Sequence, residues 1–296
     1  MFATGSVLRP IAAALLVFAG LAAAPAFATE RYPQASRIVS IGGTITEILY
    51  ALGAGDRIVA RDSTSYYPDE ANAKPDVGYM RALSPEGIFA QRPDLILAED
   101  GSGPADAISV LKAGQVPFVT IETPPSGDAI PQKIRDTGVA VGLEEEADGL
   151  AKEVEASLET LKADVAAVDP AGRKRVLFVL SLANGRVMAA GTDTEAGALI
   201  EMAGGINAAA TVSGYKPLSD EAVIAAAPDL VLVMQTGQHA ATADEVFSLP
   251  AFQTTPAAAN KALLSMDGLY LVGFGPRTPA AARELAVALY PGQVTP

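Results

Sequence analysis

Short apolar runs alternate with longer mixed stretches along most of the chain. In the first half the runs occupy residues 37–41, 58–60, 93–98 and 116–121, and helix-like stretches precede the last two. Brief apolar runs rich in valine, isoleucine and leucine are typical of strands buried in a parallel sheet. The alternation of strand and helix therefore predicts an α/β fold with helices on the faces of a parallel sheet.

Between residues 143 and 168 the pattern changes to that of one long amphipathic helix. Apolar residues recur every three or four positions, with Glu and Lys between them: Leu143, Ala147, Leu150, Val154, Leu158, Leu161, Val165 and Val168. About 25 residues at about 1.5 Å each would form a rod of roughly 38 Å, as long as a domain is wide. Residues 169–172 (DPAG) end this helix, and an apolar run at 175–180 predicts that strands resume.

Two segments on either side of the long helix repeat each other. Residues 83–97 (LSPEGIFAQRPDLIL) and 218–232 (LSDEAVIAAAPDLVL) share Leu-Ser, a glutamate, a short helix and Pro-Asp-Leu before a strand. This repeat predicts two similar α/β lobes, and a single connecting helix would permit only small rocking between them. The alternative is that Pro-Asp-Leu marks any turn from helix to strand.

The first 28 residues have the features of an export signal. One positive charge, Arg9, precedes an apolar run at 11–22, and residues 26–28 (AFA) form a small-x-small cleavage site. The run is shorter than the roughly 20 residues of a membrane-spanning helix. We predict a signal peptide cleaved after Ala28, with an uncleaved anchor as the alternative, and a soluble periplasmic product.

These patterns give a domain organisation. The predicted boundaries are a signal peptide at 1–28, an N-terminal lobe at 29–142, an interdomain helix at 143–169 and a C-terminal lobe at 170–296. Within the first lobe, Thr44 and Glu47 have the spacing of a capping box that opens a helix at 45–52. Glu47 and Glu195 fit as helix-start residues without further function.

Composition removes several classes of function. The chain has 296 residues, 50% of them hydrophobic, no cysteine, one histidine and a formal charge of −13. The charge disfavours non-specific nucleic-acid binding, and the missing cysteines exclude disulfides, iron–sulfur clusters and a lipid anchor on cysteine. The sequence contains no Gly-x-Ser-x-Gly, His-Glu-x-x-His or Gly-x-Gly-x-x-Gly motif. We therefore predict a protein that is not an enzyme.

Several motifs carry a family resemblance. Residues 37–53 (RIVSIGGTITEILYALG) and the two repeated segments resemble the periplasmic substrate-binding proteins of ABC importers that have a single interdomain helix. The resemblance covers essentially the whole mature chain and implies a ligand cleft between the lobes. Proteins of this class bind vitamin B12, ferric siderophores or haem. Residues 77–87 (VGYMRALSPEG) and 270–279 (YLVGFGPRTP) resemble the haemin-binding subgroup, which implies transport of ferric haem.

Tyr79 and Arg81 have the chemistry that ferric haem requires. Iron(III) favours an anionic oxygen ligand, and a tyrosinate supplies one. In an extended segment the two side chains would point to the same side, so Arg81 could bond the phenolate or a haem propionate. The resemblance independently implies that Tyr79 is the axial iron ligand and that Arg81 supports it. The alternative for Tyr79 is an ordinary half-buried tyrosine.

Further residues are candidates for the cleft. Tyr66 lies beside Tyr67 in a loop, where the alternative is packing within the turn. From the second lobe we expect contacts from Arg186, Met188 and Arg277, although Met188 also fits core packing and Arg277 also fits a cap on the last helix. His239 is either a second iron ligand or a solvated loop residue. The working hypothesis is five-coordinate iron held by one tyrosine.

Glu86 and Glu221 occupy matching positions at the starts of matching helices. A carboxylate there is favoured by the helix dipole. The resemblance implies that each also docks onto an arginine of an inner-membrane ABC permease dimer, which works with an ATPase. An outer-membrane haem receptor upstream and a monomeric protein are further expectations. The alternative function is the same fold binding a ferric siderophore or cobalamin.

Overall fold

The computed structural model describes residues 1–2, 29–182, 186–235 and 241–296. Residues 3–28 of the predicted signal peptide, with its cleavage site, and His239 lie outside the described residues. Within these ranges, no helix is both long enough and apolar enough to cross a membrane.

The N-terminal lobe is built on a four-stranded sheet whose order is β2-β1-β3-β4 and whose pairings are all parallel. Its strands are β1 (Ile38–Ile41), β2 (Ile58–Arg61), β3 (Leu95–Glu99) and β4 (Phe118–Ile121). Its helices are α1 (Gly43–Ala51), α2 (Pro85–Ala90), α3 (Ala105–Ala113) and α4 (Ile130–Val141). Every residue of β1 is buried, because helices cover both faces of the sheet.

One long helix, α5 (Glu144–Ala166), follows this lobe. Its 23 residues span about 35 Å. The helix buries one apolar stripe against α4, α6 and α11 and leaves most of its Glu and Lys side chains exposed. The buried members of the stripe are Ala147, Ala151, Val154, Leu161 and Val165.

The C-terminal lobe contains a six-stranded sheet of order β10-β9-β5-β6-β8, with β7 beside β5. Its strands are β5 (Arg175–Ser181), β6 (Val187–Ala190), β7 (Ile206–Asn207), β8 (Tyr215–Leu218), β9 (Leu230–Gln235) and β10 (Leu263–Asp267). Its helices are α6 (Glu195–Met202), α7 (Asp220–Ala226), α8 (Ala243–Phe247), α9 (Pro256–Ala259), α10 (Gly268–Val272) and α11 (Thr278–Leu289).

The predicted fold class, two α/β lobes joined by one long helix, is confirmed. The second sheet differs from the first in one respect, because β6 runs antiparallel to both β5 and β8. The connection from β5 to β6 comprises only residues 182–186, which is too short for the crossover that a parallel pair requires.

The sequence repeat corresponds to a repeated structural device. The carboxylates of Asp94 and Asp229 each accept a hydrogen bond from the backbone N–H of an arginine at the start of a central strand, Arg37 and Arg175, both at 2.8 Å. The two arginines donate in turn, through Nε, to carbonyl oxygens at or just after the ends of α2 and α7, at 2.7 and 2.6 Å. The matched Pro-Asp-Leu segments therefore fix the same helix-to-strand geometry in both lobes.

The predicted capping box at Thr44 and Glu47 is wrong. Helix α1 begins at Gly43, and no side chain caps it. The Thr44 hydroxyl donates instead to the carbonyl of Gly273, and Glu47 forms an ion pair with Arg277. Both partners belong to the other lobe, so tertiary contacts replace the local pairing that the spacing indicated.

The N-terminal lobe buries two opposite charges at the end of β3. Glu99 is 14% exposed and Lys133, on α4, is 2% exposed, with Oε1 and Nζ 4.0 Å apart. Burial raises the pKa of Glu99 to about 7, against the opposing effect of the Lys133 charge. Burial likewise lowers the pKa of Lys133, and Glu99 opposes that shift. The pair is therefore costly to keep charged inside the fold.

Replacing Glu99 by Gln tests this cost. The folded protein holds the Glu99 proton up to about pH 7, whereas an unperturbed carboxyl loses it near 4.5. Between these values the folded state binds more protons, so this group makes stability fall as pH rises. We expect the free energy of unfolding to fall by about 1–3 kcal/mol less from pH 5 to pH 7.5 in Glu99→Gln than in the wild-type protein. Urea unfolding at pH 5 and pH 7.5 measures it, with the exposed Glu122→Gln as control. An unchanged pH dependence in Glu99→Gln would contradict the assignment.

Candidate functional site

Tyr79 lies in a loop between β2 and α2, with 44% of its surface exposed. The loop is held to β2 by an ion pair between Arg61 and Asp76, at 2.9 Å, and is tightened internally by a hydrogen bond from the Gly78 N–H to Asp76 at 2.8 Å. Gly78 has a φ of 97°, which a residue with a side chain rarely adopts. This local anchoring presents the Tyr79 phenol to solvent.

Arg81 lies next to the phenol, as its position in the sequence predicts. Its Nη1 donates to the Tyr79 Oη at 3.2 Å. The backbone between them is not extended, because the Ala82 N–H bonds the Tyr79 carbonyl at 2.7 Å and closes a tight turn. The predicted geometry was therefore wrong in detail, although the two side chains do meet.

The second lobe contributes Tyr215 near the same turn, a residue that sequence reasoning missed. The Tyr215 hydroxyl bonds the Glu195 carboxylate at 3.2 Å. Burial and that carboxylate raise the pKa of Tyr215, and the positive charge of Arg81 opposes the rise. Arg81 thus lies within electrostatic range of the other lobe. The repeat itself held the signal for Tyr215, because Gly214-Tyr215 precedes Leu218-Ser219 much as Gly78-Tyr79 precedes Leu83-Ser84.

Tyr66 forms a contact between the lobes. Its Oη accepts a hydrogen bond from the Leu269 N–H at 2.7 Å and lies 3.3 Å from Asp267 Oδ1. Burial raises the pKa of Tyr66 to about 12, so the phenol stays neutral and can donate to the aspartate. The side chain remains partly exposed.

Arg277 is also held between the lobes. Its Nη2 lies 2.8 Å from Glu47 Oε2, and its guanidinium stacks 3.4 Å from the ring centre of Tyr67. The ring of Tyr270 lies 5.3 Å away on the same lobe as Arg277. The side chain does not cap α11, which begins at the next residue. A ligand carboxylate at Arg277 would therefore compete with Glu47.

The other predicted contacts from the second lobe lie around the end of β5. Arg186 is exposed just before β6, and Met188 is half-buried within β6, opposite Ser181. Sequence reasoning missed Leu180, which is 39% exposed near the carboxyl end of β5. Its place as the last residue of the apolar run at 175–180 was the signal that could have identified it. In open α/β sheets this end of the strands is where ligands bind.

Glu86 and Glu221 have equivalent surroundings. Each lies exposed in the first turn of its helix, after a serine that accepts a backbone N–H bond, Ser84 at 3.3 Å and Ser219 at 3.2 Å. Hydrogen bonding to their own backbone N–H groups, and then to these serines, holds the pKa of both carboxyls below the usual range. Both lobes therefore present a charged carboxylate at the same structural position.

Comparison with known proteins adds a family and several relatives. The model of a family described as "Periplasmic binding protein" matches residues 38–269. The solved structure of the periplasmic heme-binding protein RhuT from Roseiflexus sp. RS-1, in apo form, is 37% identical and superposes with a TM-score of 0.82. That match covers 86% of this chain and 98% of RhuT.

Two curated relatives show how far sequence similarity extends. An uncharacterized ABC transporter substrate-binding lipoprotein, YvrC from Bacillus subtilis, is 28% identical over 87% of this chain and 81% of its own length. The vitamin B12-binding protein of Yersinia pestis is 37% identical over 109 residues, which are 37% of this chain and 36% of that protein.

Proposed function

The chain belongs to the periplasmic binding protein family, and we propose that its substrate is ferric haem, captured through Tyr79 and delivered to an inner-membrane permease. As a periplasmic substrate-binding protein of an ABC importer, it is a binding protein rather than an enzyme. The finer proposal concerns the ligand, the residues that hold it and the residues that dock.

The observation that carries the proposal is the exposed phenol of Tyr79 with the Arg81 guanidinium 3.2 Å away. Binding of a phenol oxygen to iron(III) removes its proton, and a cation beside it favours the anion that results. A guanidinium has five N–H donors, so Arg81 can bond the phenolate and still offer donors to a propionate.

The comparisons favour haem over cobalamin. The heme-binding protein RhuT is 37% identical over 86% of the chain, whereas a solved vitamin B12-binding protein that superposes over the same 86% is 22% identical. The curated sequence similarity to a vitamin B12-binding protein extends over 37% of the chain. Cobalamin nevertheless remains the second candidate, because identity within that shorter match is also 37%. A ferric siderophore is a third, since an anionic ferric complex would meet the same exposed phenol and guanidinium.

The second lobe would complete the cleft. We assign an apolar contact with the porphyrin to Met188 and Leu180, both at the end of the sheet where ligands bind. Exposed Arg186 is a candidate for a propionate. Tyr66 would line the side of the cleft where the lobes touch. The proposal treats the protein as a monomer, released by cleavage after Ala28, that receives haem downstream of an outer-membrane receptor.

Glu86 and Glu221 would seat the loaded protein on the permease. One exposed carboxylate on each lobe, at equivalent positions, suits a transporter with two similar subunits. The formal charge of −13 would also steer the encounter with a cationic surface.

Replacing Tyr79 by Phe removes only the ligand oxygen and keeps the ring. We expect wild-type protein with haemin to give a Soret band and the charge-transfer bands of tyrosinate ligation, and Tyr79→Phe to lose those bands. Affinity should fall by about 100-fold or more, and by about 10-fold in Arg81→Ala. Absorption titration measures both, with Tyr67→Phe as the matched control on a neighbouring exposed tyrosine.

Parallel titrations with cobalamin and a ferric siderophore distinguish the candidate ligands. Tight binding of either one, with none of haemin, would replace haem as the substrate. Haemin affinity that is the same in Tyr79→Phe as in Tyr67→Phe would remove the site assignment while leaving the ligand in place.

Replacing Glu86 and Glu221 together by Ala tests docking. We expect haemin affinity to stay at the wild-type value, because neither residue is part of the proposed iron site, while haem-dependent growth or uptake into cells is lost. The control is Glu145→Ala with Glu153→Ala, two exposed glutamates on α5. Uptake that persists in the docking variant would show that other residues seat the protein on its permease.

A further inference from the structure

The two lobes touch at a second place, apart from α5. A loop after α10 reaches the start of α1 and the buried end of Lys133. The Lys133 Nζ donates to the Phe274 carbonyl at 2.9 Å and lies 3.4 Å from the Gly273 carbonyl, which also accepts the Thr44 hydroxyl. One ammonium of the first lobe therefore binds two backbone carbonyls of the second.

An ion pair and an aromatic contact extend this junction. Glu47 and Arg277 pair at 2.8 Å across the lobes, with Glu47 almost fully buried and Arg277 stacked on Tyr67. Six residues thus form what we call the interlobe brace: Thr44, Glu47 and Lys133 from the first lobe, with Gly273, Phe274 and Arg277 from the second.

The backbones at the brace are packed too closely for larger residues. A Cβ added to Gly275 would lie 2.8 Å from the Thr44 Cγ2. A Cβ added to Gly43 would lie 2.6 Å from both the Leu269 Cδ1 and the Thr64 carbonyl oxygen. Contacts this short do not occur, so even one added methyl group would have to push the lobes apart or distort the loop.

The loop itself is held in an uncommon conformation. Phe274 is 2% exposed and has a φ of 52°, in the left-handed region that non-glycine residues rarely occupy. Such a conformation is strained and persists only where the surroundings fix it. The Lys133 hydrogen bond to the carbonyl of this same residue is one such restraint.

We propose that the interlobe brace, with Lys133 at its centre, is a conformational lock that sets the separation of the lobes and so the width of the cleft before any ligand binds. A hinge formed by α5 alone would tolerate changes at these residues, whereas a locked hinge would not. The consequence for ligand release rests on the proposed function, but the lock itself does not.

Spin-label distances measure the lobe separation directly. The chain has no cysteine, so Val110→Cys on α3 and Ala225→Cys on α7, both exposed, give one label per lobe. We expect one narrow distance distribution in ligand-free wild-type protein. Lys133→Met and Gly275→Ala should each broaden it or shift its mean by about 2 Å or more.

The variants are chosen to stay folded and to disturb the brace in different ways: by loss of a charge, by an added methyl group or by loss of a hydroxyl. Lys133→Met keeps an apolar stem of similar length, and Glu99, whose pKa burial already raises to about 7, can take up a proton when its partner is gone. Gly275→Ala changes no charge, and Thr44→Val removes one hydroxyl at constant shape. Gln132→Met, exposed on the same helix as Lys133, is the matched control.

The outcomes separate the lock from the ligand. Distances in folded Lys133→Met and Gly275→Ala that equal those of Gln132→Met, with folding checked by circular dichroism, would overturn the proposal. Transfer of haemin to apomyoglobin should be at least about tenfold faster from Lys133→Met, as expected when a structural support of a ligand site is lost. If wild-type protein ignores haemin, the proposed function fails, while the distances still decide the lock.

Discussion

The arrangement of the lobes depends on one interaction, the hydrogen bonding of the buried Lys133 ammonium group to the backbone of the other lobe. Lys133 is costly to bury as an ion, and what offsets that cost lies in both lobes: the Glu99 carboxyl group, 4.0 Å away, in its own lobe and the carbonyls of Gly273 and Phe274 in the other. The polar groups that replace water around the Lys133 ammonium group are all in place only while the lobes stay together. A lock at this junction would fix the separation of the lobes, so that the width of the proposed cleft follows from this buried contact and not from the ligand.

The residues that repeat build the same framework in both lobes, and the residues that differ between the two copies form the proposed binding site. Asp94 and Asp229 perform the same task at the start of the central strands, and Ser84 and Ser219 begin matching helices. The loop before each matched segment carries a tyrosine after a glycine of positive φ, Tyr79 and Tyr215, but of the two only Tyr79 is exposed and has an arginine two residues later. The second lobe instead adds the antiparallel strands β6 and β8, and β6 carries Met188, the residue that we propose as an apolar contact for the porphyrin.

Local periodicity was sufficient to predict the lobes and the long helix, because burial on one face of an element is written into the spacing of its own residues. The meeting of Tyr79 and Arg81 was also predictable, since two residues of separation leave few geometries. The contacts between Glu47 and Arg277 and between Lys133 and Phe274 were not, because 230 and 141 residues separate the partners. At Thr44 and Glu47 a strong local signal even pointed to the wrong partner, since an ion pair and a hydrogen bond to the other lobe displaced the cap.

The positions and free N–H groups of the arginines determine which of them could compensate the charge of a bound anionic porphyrin. A tyrosinate, a ferric porphyrin and two propionates together carry a net negative charge, and the protein itself stands at −13, so local cations must compensate. Arg277 pairs with Glu47 and stacks on the ring of Tyr67. Drawing it towards a ligand would leave the Glu47 carboxylate without its charge partner. Arg81 uses one Nη atom on Tyr79 and keeps further N–H groups of its planar fork for a carboxylate. A lysine lacks this planar fork and could not offer a bidentate pair of N–H bonds to a carboxylate, so under the proposed function the identity of residue 81 as arginine would matter beyond its charge alone.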